Sequence, residues 1–354
     1  MSKRFTAMVV AIMMIVALAL AGCGSQPAAP AQQNTQQVIE LKFHHHDPPG
    51  SAIGQFFDAW AKDIGVKSNG RLKITVYPGA SLGPPAQAYN MVTTGVCDIA
   101  WGAVAILPGQ FPGTEIMHLP MLGVRSARQS SKTLWELYTT TDYLKKEYEN
   151  VKVLYLFTEG GTPIGTKSKK ITTAADLNGL KLRTPGGPVM DFLKRTGAAP
   201  IGIPPGNIYE SMGKGVIDGY LIGWQGVEAF KLTEDTKFIL DANLYTSAFW
   251  VAMNKNKYNS LPPDLKKILD DASGEAAMMQ VALIIDNVEK RLDGTMAEKG
   301  ITKTPLSAEE QVKWEAIAVD VQNQWITDVS AKGFPAKEAV AKVKELMKKN
   351  ANQQ

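Results

Sequence analysis

The chain has 354 residues, a formal net charge of +4, 20% charged side chains and two cysteines. This length is enough for one large or two medium domains. The charge balance argues against nucleic acid or an anionic membrane surface as a partner, and no apolar run after residue 23 reaches the ~20 residues that cross a bilayer.

The N-terminus has the pattern of an export signal. Lys3 and Arg4 precede an apolar run at 5–20, and the sequence Leu-Ala-Gly then leads into Cys23. This pattern predicts a lipoprotein signal peptide at 1–22, cleaved before Cys23, whose thiol would carry diacylglycerol. The alternative is an ordinary signal peptide, or an uncleaved anchor, with a chance cysteine. We expect a protein held by its lipid on the membrane, in the periplasm or on the extracytoplasmic face.

The segment that follows the cysteine has no charge and no aromatic side chain. Its sequence, GSQPAAPAQQNTQQ, holds only small, proline and amide residues. Such a segment cannot bury enough apolar surface to fold, so residues 23–37 are predicted to be an acylated cysteine and a flexible tether. If Cys23 is acylated, Cys97 has no partner for an intramolecular disulfide.

From residue 38 onward, strand-like apolar runs alternate with amphipathic stretches. The first half predicts strands near 41–46, 72–77, 98–101 and 151–157, with helices near 51–67, 85–94 and 127–149. The second half predicts short strands near 180–183, 217–222 and 248–253, a nearly continuous helix at 263–299, a helix opened by a Ser307/Glu310 capping box, and a helix near 336–349.

This order predicts an α/β fold with two sheets flanked by helices, because strands and helices alternate along most of the chain. The 263–299 helix is too long for a simple crossover, and we expect it to brace two lobes. Solutes in such folds bind where carboxyl ends of strands meet helix N-termini.

Signatures of catalysis are scarce. The sequence has no G-x-S-x-G, H-E-x-x-H or Walker motif. Of the four histidines, His44 and His46 would share one face of a strand and, with Asp47, could begin a metal site. The plainer interpretation is a strand end where one imidazole, that of His46, faces a cleft. We therefore expect no enzyme activity, no cofactor and no metal.

The strongest signal is a series of motifs spread over most of the chain. It resembles the solute-binding subunit of TRAP (tripartite ATP-independent periplasmic) transporters of the dicarboxylate-binding type. The matching sequences are A-D-L-N-G-L-K-L-R at 175–183, G-A-A-P at 197–200, G-V-I-D-G at 215–219, N-G-R-L at 69–72, Y-P-G-A-S-L-G at 77–83 and M-N-K at 253–255.

The resemblance implies a two-lobed, periplasmic-binding-protein-like fold with two mixed sheets, and membrane subunits of the transporter as partners. We expect lobe I to hold residues 38–160 and about 250–288, and lobe II residues 161–249 and about 289–349. The resemblance also implies that Arg183 binds a solute carboxylate. A guanidinium at a strand end suits that role, because its planar fork pairs both carboxylate oxygens.

Two departures from the family pattern concern the solute. Family members that bind dicarboxylates or acidic sugars resemble this chain but place a second Arg after the strand that matches 151–157; here no Arg occurs between Arg128 and Arg183. Where sialic-acid binders carry Glu-Asn, this chain has Leu221-Ile222. These departures predict one carboxylate clamp in apolar or aromatic surroundings.

Several further side chains are candidates for the solute site. Aromatic residues stand near predicted strand ends, although for each of them core packing is the plain alternative, and strand alternation places only one of Phe249 and Trp250 on the cleft side. Glu159 or Asp47 could meet an ammonium group, or could be a loop charge or a helix cap. The candidates are Trp101, Trp224, Tyr220, His46, Glu159, Trp250 and Phe249.

The sequence thus predicts a TRAP-type receptor for a small monocarboxylate with an apolar or aromatic body: a 2-oxo acid, a branched or aromatic acid, or an amino acid. The alternatives are a dicarboxylate receptor of the same family, a receptor for a signalling protein or an ATP-driven transporter, and a secreted metal-dependent hydrolase that uses His44, His46 and Asp47. The long helices could also support a homodimer.

Overall fold

The computed structural model of the protein describes residues 37–352. The predicted signal peptide at 1–22, the acylated Cys23 and nearly all of the tether at 23–37 lie outside the described residues. Within residues 37–352, no helix is both long enough and apolar enough to span a membrane.

The first sheet has the strand order β2-β1-β3-β10-β4. Strand β1 is parallel to β2 and β3, whereas β10 is antiparallel to both β3 and β4. Strands β4 and β10 are almost entirely buried, as their near-continuous apolar sequences require. The strands are Ile39–His44 (β1), Leu72–Tyr77 (β2), Ile99–Ala103 (β3), Val151–Thr158 (β4) and Ala248–Asn254 (β10).

The second sheet has the strand order β11-β9-β5-β8-β6-β7. Strand β5 is antiparallel to β8 and β9, and the other neighbours are parallel. Both sheets are therefore mixed, as predicted. The strands are Ile164–Thr166 (β5), Lys181–Thr184 (β6), Ala199–Gly202 (β7), Gly219–Leu221 (β8), Phe238–Asp241 (β9) and Thr302–Pro305 (β11).

Helices cover the sheets. They are Ala52–Lys67 (α1), Ala88–Thr94 (α2), Pro112–Glu115 (α3), Ala127–Thr140 (α4), Pro188–Arg195 (α5), Ile208–Gly213 (α6), Trp224–Ala229 (α7), Lys255–Ser260 (α8), Pro263–Asp271 (α9), Gly274–Glu298 (α10), Ala308–Ser330 (α11) and Ala336–Lys349 (α12). Short 3-10 helices lie at Pro85–Gln87, Val104–Ile106, Ile116–His118, Lys146–Tyr148, Ala174–Leu177, Pro205–Asn207 and Leu232–Glu234.

Two predicted helices are shorter than expected. The helix predicted at 127–149 ends at Thr140, where Thr139, Thr140 and Thr141 donate their hydroxyls to carbonyls four residues earlier. β-Branched residues that bond the backbone in this way are poor helix formers. The helix predicted at 263–299 breaks after Asp271, because Gly274 takes a φ of +67° that reverses the chain.

The predicted capping box at Ser307 is half formed. The Ser307 hydroxyl accepts from the Glu310 N–H at 3.2 Å. The Glu310 carboxylate does not complete the box; it accepts from the N–H of Ala174 at 2.9 Å and ties the helix to the second sheet's side of the molecule. The Glu310 carboxylate therefore accepts a long-range hydrogen bond from Ala174 in place of the local bond that a complete capping box requires.

Helix α10 bridges the two sheets, as predicted. Its first half, including Met278 and Ile285, is buried in a core with β1, β3, β4 and β10 of the first sheet. Its second half, including Val288 and Leu292, is buried with Tyr220 of the second sheet. One continuous helix therefore contributes to the cores on both sides.

Two chain segments also connect the sheets. Residues 159–163 run from β4 to β5, and residues 242–247 run from β9 to β10. The segments pair with each other: the N–H of Glu159 donates to Ser247 O at 3.0 Å and the N–H of Thr162 to Tyr245 O at 2.9 Å. This pairing fixes where residues 159 and 247 stand between the two sheets.

Candidate functional site

A cavity of about 40 Å³ lies between the two sheets. We call it the inter-sheet cavity. The first sheet's side supplies residues that follow β1 and β4 and residues on β3 and β10, and the second sheet's side supplies residues on or after β6, β7 and β8. The cavity is lined by His46, Asp47, Trp101, Ala103, Ala105, Ile106, Glu159, Arg183, Pro185, Pro205, Ile222, Gln225, Gly226, Phe230, Ser247 and Phe249.

Arg183 is the cation of the cavity. It lies on β6, in register with Tyr220 of β8, and only 2% of the residue is exposed. Its Nε donates to the carbonyl of Ile203 at 2.9 Å, and its Nη1 donates to the carbonyl of Leu221 at 2.8 Å. Within residues 37–352 these bonds use two of the five guanidinium N–H groups, so three are left for another acceptor.

The guanidinium stays charged despite its burial. Burial lowers the pKa of Arg183 to about 10, and the neighbouring Tyr245 and Glu159 act in the opposite direction. At neutral pH the group is therefore a cation held in place by two backbone carbonyls. A carboxylate that displaces water here would meet a preorganised fork of donors.

Asp47 lies in the loop after β1 and is 1% exposed. Its Oδ2 accepts from the Ser51 hydroxyl at 3.0 Å and from the Gln225 side-chain amide at 2.5 Å. Burial raises the pKa of Asp47 to about 6, although both hydrogen bonds act to lower it. Since Gln225 belongs to α7, the bond joins the first sheet's side of the cavity to the second.

Glu159, the residue after β4, is a second buried acid, at 4% exposed. Burial, and then the charge of Asp47, raises the pKa of Glu159 to about 8; Arg183 and the N–H of Gly223 act in the opposite direction. A Cβ added at Gly223 would lie 1.9 Å from Glu159 Oε2, so this approach requires glycine. Glu159 and Gly223 thus form a second contact between the two sides.

The raised pKa of Glu159 predicts a pH dependence of stability. A folded-state pKa above the ordinary 4.5 stabilises the folded protein fully below pH 4.5, and this stabilisation is lost as pH rises toward 8. We expect the free energy of unfolding of the wild type to fall relative to Glu159→Gln between about pH 5 and 8, by up to about 1.4 kcal/mol per pH unit. Urea unfolding at several pH values measures it.

The exposed Glu309→Gln is the matched control for that experiment, since the Glu309 side chain is 81% exposed. Its unfolding curve should follow the wild type at each pH. Parallel pH profiles for wild type and Glu159→Gln would contradict the burial-driven rise in the Glu159 pKa.

Aromatic rings form one wall of the cavity. The rings of Trp101 and His46 stack with their centroids 4.3 Å apart and their planes at 15°. Phe249 also packs against Trp101, with a centroid distance of 5.3 Å and an angle of 46° between the ring planes. Burial and the neighbouring His45 lower the pKa of His46, so its ring is neutral at pH 7. The wall offers flat apolar surface to a solute body.

Three of the predicted aromatic candidates do not line this cavity. Trp250 points to the opposite face of β10 from Phe249 and packs on Gly102 of β3, where a Cβ would lie 2.1 Å from its ring. Tyr220 is fully buried, with its hydroxyl 3.0 Å from that of Thr236. Trp224 is buried, with the Lys303 ammonium 4.5 Å from its ring centroid. All three belong to the core.

The histidine cluster does not form a metal centre in the described part of the chain. Within residues 37–352, no group of three or more His, Cys, Asp or Glu side chains is arranged to hold a metal ion. His44 is fully buried, and Asp47 instead accepts from Ser51 and Gln225. The geometry therefore gives no support to the hydrolase alternative.

Other lining residues were not predicted from the sequence. Gln225 and Ser247 are polar, Ile222 and Phe230 are apolar, and Ala103 and Ala105 make room by being small. The position of Gln225 at the start of the helix after the G-Y-L-I-G-W sequence could have identified it as a cavity residue. No pattern in the sequence pointed to Ala103 or Ala105.

Comparison with known proteins assigns the chain to a family. The family described as "Bacterial extracellular solute-binding protein, family 7" matches residues 43–328. The chain belongs to this family. Among its relatives, the outer membrane transporter protein TsaT of Comamonas testosteroni is 30% identical over 322 residues, which cover 89% of this chain and 92% of the relative.

Solved structures give the same result for the receptor fold. One is a TRAP solute-binding protein from a marine metagenome, specific for aromatic acid ligands and bound to 3-hydroxybenzoate; another, from Rhodoferax ferrireducens T118, holds copurified benzoate. Each has a TM-score of 0.84 and 32% identity, and each match covers 89% of this chain and 99% of the other. The family and these neighbours are solute-binding receptors rather than enzymes.

Proposed function

We propose that this receptor binds a small monocarboxylate with an apolar or aromatic body in the inter-sheet cavity, with the Arg183 guanidinium pairing both carboxylate oxygens. A 2-oxo acid, a branched acid and an amino acid share this chemistry, and an aromatic acid fits it best. The observation that carries the proposal is a buried cation with three N–H groups free of protein acceptors, beside the rings of Trp101 and Phe249. Two neighbours at 32% identity bind aromatic acids or benzoate, which supports it.

Among residues 37–352, Arg183 is the one cation that lines the cavity, and this favours a monocarboxylate over the dicarboxylate alternative. Asp47 and Glu159 line the same cavity, so a second solute carboxylate would meet the Asp47 carboxylate and the Glu159 carboxyl group rather than a second guanidinium. The solute carboxylate and the Asp47 carboxylate would repel each other in a buried site, and the protonated Glu159 supplies no positive charge to offset them.

Binding requires the cavity to widen. Its volume is about 40 Å³, whereas an engineered protein cavity that binds benzene measures roughly 150 Å³. We propose that lobe I (38–160 and about 250–288) and lobe II (161–249 and about 289–349) separate by a hinge motion, admit the solute, close on it, and then dock on the membrane subunits of the transporter. The paired segments 159–163 and 242–247 are suitable hinges because they connect the two sheets.

A panel of carboxylates tests the proposed function. Isothermal titration calorimetry should give Kd values for benzoate, 3-hydroxybenzoate and phenylpyruvate at least tenfold lower than the value for succinate, because succinate adds a second charge beside Asp47 and Glu159. Solute should be recovered chemically unchanged. Succinate binding as tightly as the aromatic acids would overturn the monocarboxylate assignment.

We further propose that diacylglycerol on Cys23 anchors the receptor to the membrane, with residues 24–37 as the tether. Cys23→Ser should move the protein from the membrane fraction to the soluble fraction of fractionated cells, since a single serine cannot carry the lipid. Cys97→Ser, which changes a buried cysteine of the folded part, is the control and should stay with the membrane. Membrane retention of Cys23→Ser would contradict the anchor.

A further inference from the structure

The inter-sheet cavity offers an acceptor as well as donors. Asp47 receives both of its hydrogen bonds, from Ser51 at 3.0 Å and from Gln225 at 2.5 Å, on the same oxygen, Oδ2. Its Oδ1 receives no hydrogen bond from any side chain or backbone group of residues 37–352. Asp47 lines the cavity, so a solute that fills the cavity and keeps water from Oδ1 leaves this oxygen without a donor unless the solute supplies one.

The donor side of the cavity is also incomplete. Among residues 37–352, three guanidinium N–H groups of Arg183 have no protein acceptor. Benzoate carries only acceptors, so it would satisfy these donors and leave Asp47 Oδ1 unpaired. A complementary solute carries a carboxylate and also a donor.

We propose that the solute of this receptor is an aromatic carboxylic acid that carries a hydroxyl group, with its carboxylate on Arg183 and its hydroxyl donating to Oδ1 of Asp47. This inference rests on the proposed function and names the substrate class within it. Asp47 is thereby the residue that determines specificity between hydroxylated and plain aromatic acids.

A hydroxyl fits better than an ammonium group for two reasons. An ammonium has three N–H donors, whereas the free acceptor of Asp47 is one oxygen, and each buried N–H that stays unpaired costs free energy. Glu159 does not supply a second carboxylate charge at neutral pH, because its pKa is about 8 and it keeps its proton. A single hydroxyl donor on the solute therefore matches the single free acceptor, Oδ1 of Asp47.

The test compares hydroxyl with methyl on the same ring position. Calorimetry on the purified full-length protein measures Kd for benzoate, for the 2-, 3- and 4-hydroxybenzoates and for the corresponding methylbenzoates. A methyl group has nearly the size of a hydroxyl and cannot donate. For at least one position the hydroxy acid should bind about 10- to 100-fold more tightly than its methyl partner, the range expected for a hydrogen bond to a charged group.

Asp47→Asn removes the free acceptor and the negative charge of Asp47 and keeps the shape of the side chain. The asparagine carbonyl can keep the bonds from Ser51 and Gln225, and its NH2 group takes the place of Oδ1. The preference for hydroxyl over methyl should fall at least fivefold, since a bond to an amide is weaker than one to a carboxylate. Benzoate is titrated into the same variant, so that the preference can be corrected for any general change in carboxylate affinity that the loss of the Asp47 charge causes. Glu115→Gln changes a buried acid that does not line the cavity and should keep the wild-type preference.

The outcomes separate this inference from the proposed function. If the wild type binds aromatic acids but binds every methylbenzoate as tightly as its hydroxy partner, the inference is wrong and the proposed function stands. If 3-(aminomethyl)benzoate or phenylalanine binds more tightly than any hydroxybenzoate, the ammonium alternative replaces the hydroxyl. If no aromatic acid binds at all, the proposed function fails and the inference fails with it.

Discussion

Replacing Arg183 with methionine should weaken the binding of benzoate by about 2–5 kcal/mol. The substitution keeps much of the side-chain volume but removes the charge and the N–H groups that would pair with the solute carboxylate. The solute carboxylate would then be buried beside the Asp47 carboxylate, and no cation among the described lining residues would offset the two charges. Arg183→Lys should also bind weakly, because an ammonium cannot form the bidentate fork or keep both backbone contacts.

Two controls separate lost binding from lost folding. Arg195→Met changes an exposed arginine at the end of helix α5 and should leave Kd unchanged. The free energy of unfolding of Arg183→Met, measured in urea without solute, shows whether the fold survives the loss of the bonds to Ile203 and Leu221. A folded Arg183→Met variant that binds benzoate like the wild type would refute the carboxylate clamp.

The second large effect is expected at Gly223. An alanine Cβ there would lie 1.9 Å from Glu159 Oε2, so the carboxylate would have to move and lose the Gly223 N–H. Glu159 is buried and lines the inter-sheet cavity, which offers space into which its carboxylate can move. The two sides of the cavity would then stay apart, or the glutamate would occupy the solute's place. We expect Kd for benzoate to rise at least tenfold in calorimetry, about 1.4 kcal/mol or more.

A shorter partner should rescue this variant. In Gly223→Ala combined with Glu159→Ala the overlap disappears, and the double variant should bind more tightly than Gly223→Ala alone, which a double-mutant cycle quantifies. Gly206→Ala is the neutral comparison, since no atom lies within 4 Å of a Cβ at that position, next to the cavity residue Pro205. Wild-type affinity in Gly223→Ala would show that the contact between Glu159 and Gly223 is not needed for binding.

The elements with a complete local signal could be predicted from the sequence. The helix at 52–67 has a Ser51 cap, an apolar stripe and a closing Asn69-Gly70 pair with positive φ values, and its predicted bounds match to within one residue. The helix predicted at 127–149 had the right start and the wrong end, because its threonines bond the backbone in a way that polarity alone does not reveal. Helix propensity alone is a poor guide to the residue at which a helix ends, because side-chain hydrogen bonds to the backbone compete with the helix there.

Individual residues of the candidate site could be predicted from the sequence, but the contacts between them could not. The place of Arg183 in the cavity follows from its position on a strand and from the family motif. The bond between Asp47 and Gln225 joins residues 178 apart in sequence, and no local pattern encodes such a pair. Alternation placed one of Phe249 and Trp250 in the core, but only the packing of Trp250 on Gly102 decides which one.

The burial of Asp47 and Glu159 changes which solutes we expect the cavity to bind. Sequence patterns alone treated Glu159 and Asp47 as loop charges, caps or partners of an ammonium group. Their burial beside one guanidinium makes the cavity poor in positive charge and gives it an acceptor of its own. The same arrangement disfavours a second solute carboxylate and favours a solute with a donor. Charge and hydrogen bonding thus narrow the substrate class together.

A crystal structure of the receptor with its copurified solute is the decisive measurement for the Arg183 carboxylate clamp. We expect a single small aromatic acid in the inter-sheet cavity, with both carboxylate oxygens within about 3 Å of the Arg183 guanidinium and the ring against Trp101 and Phe249. A solute without a carboxylate, or a carboxylate bound away from Arg183, would refute the clamp.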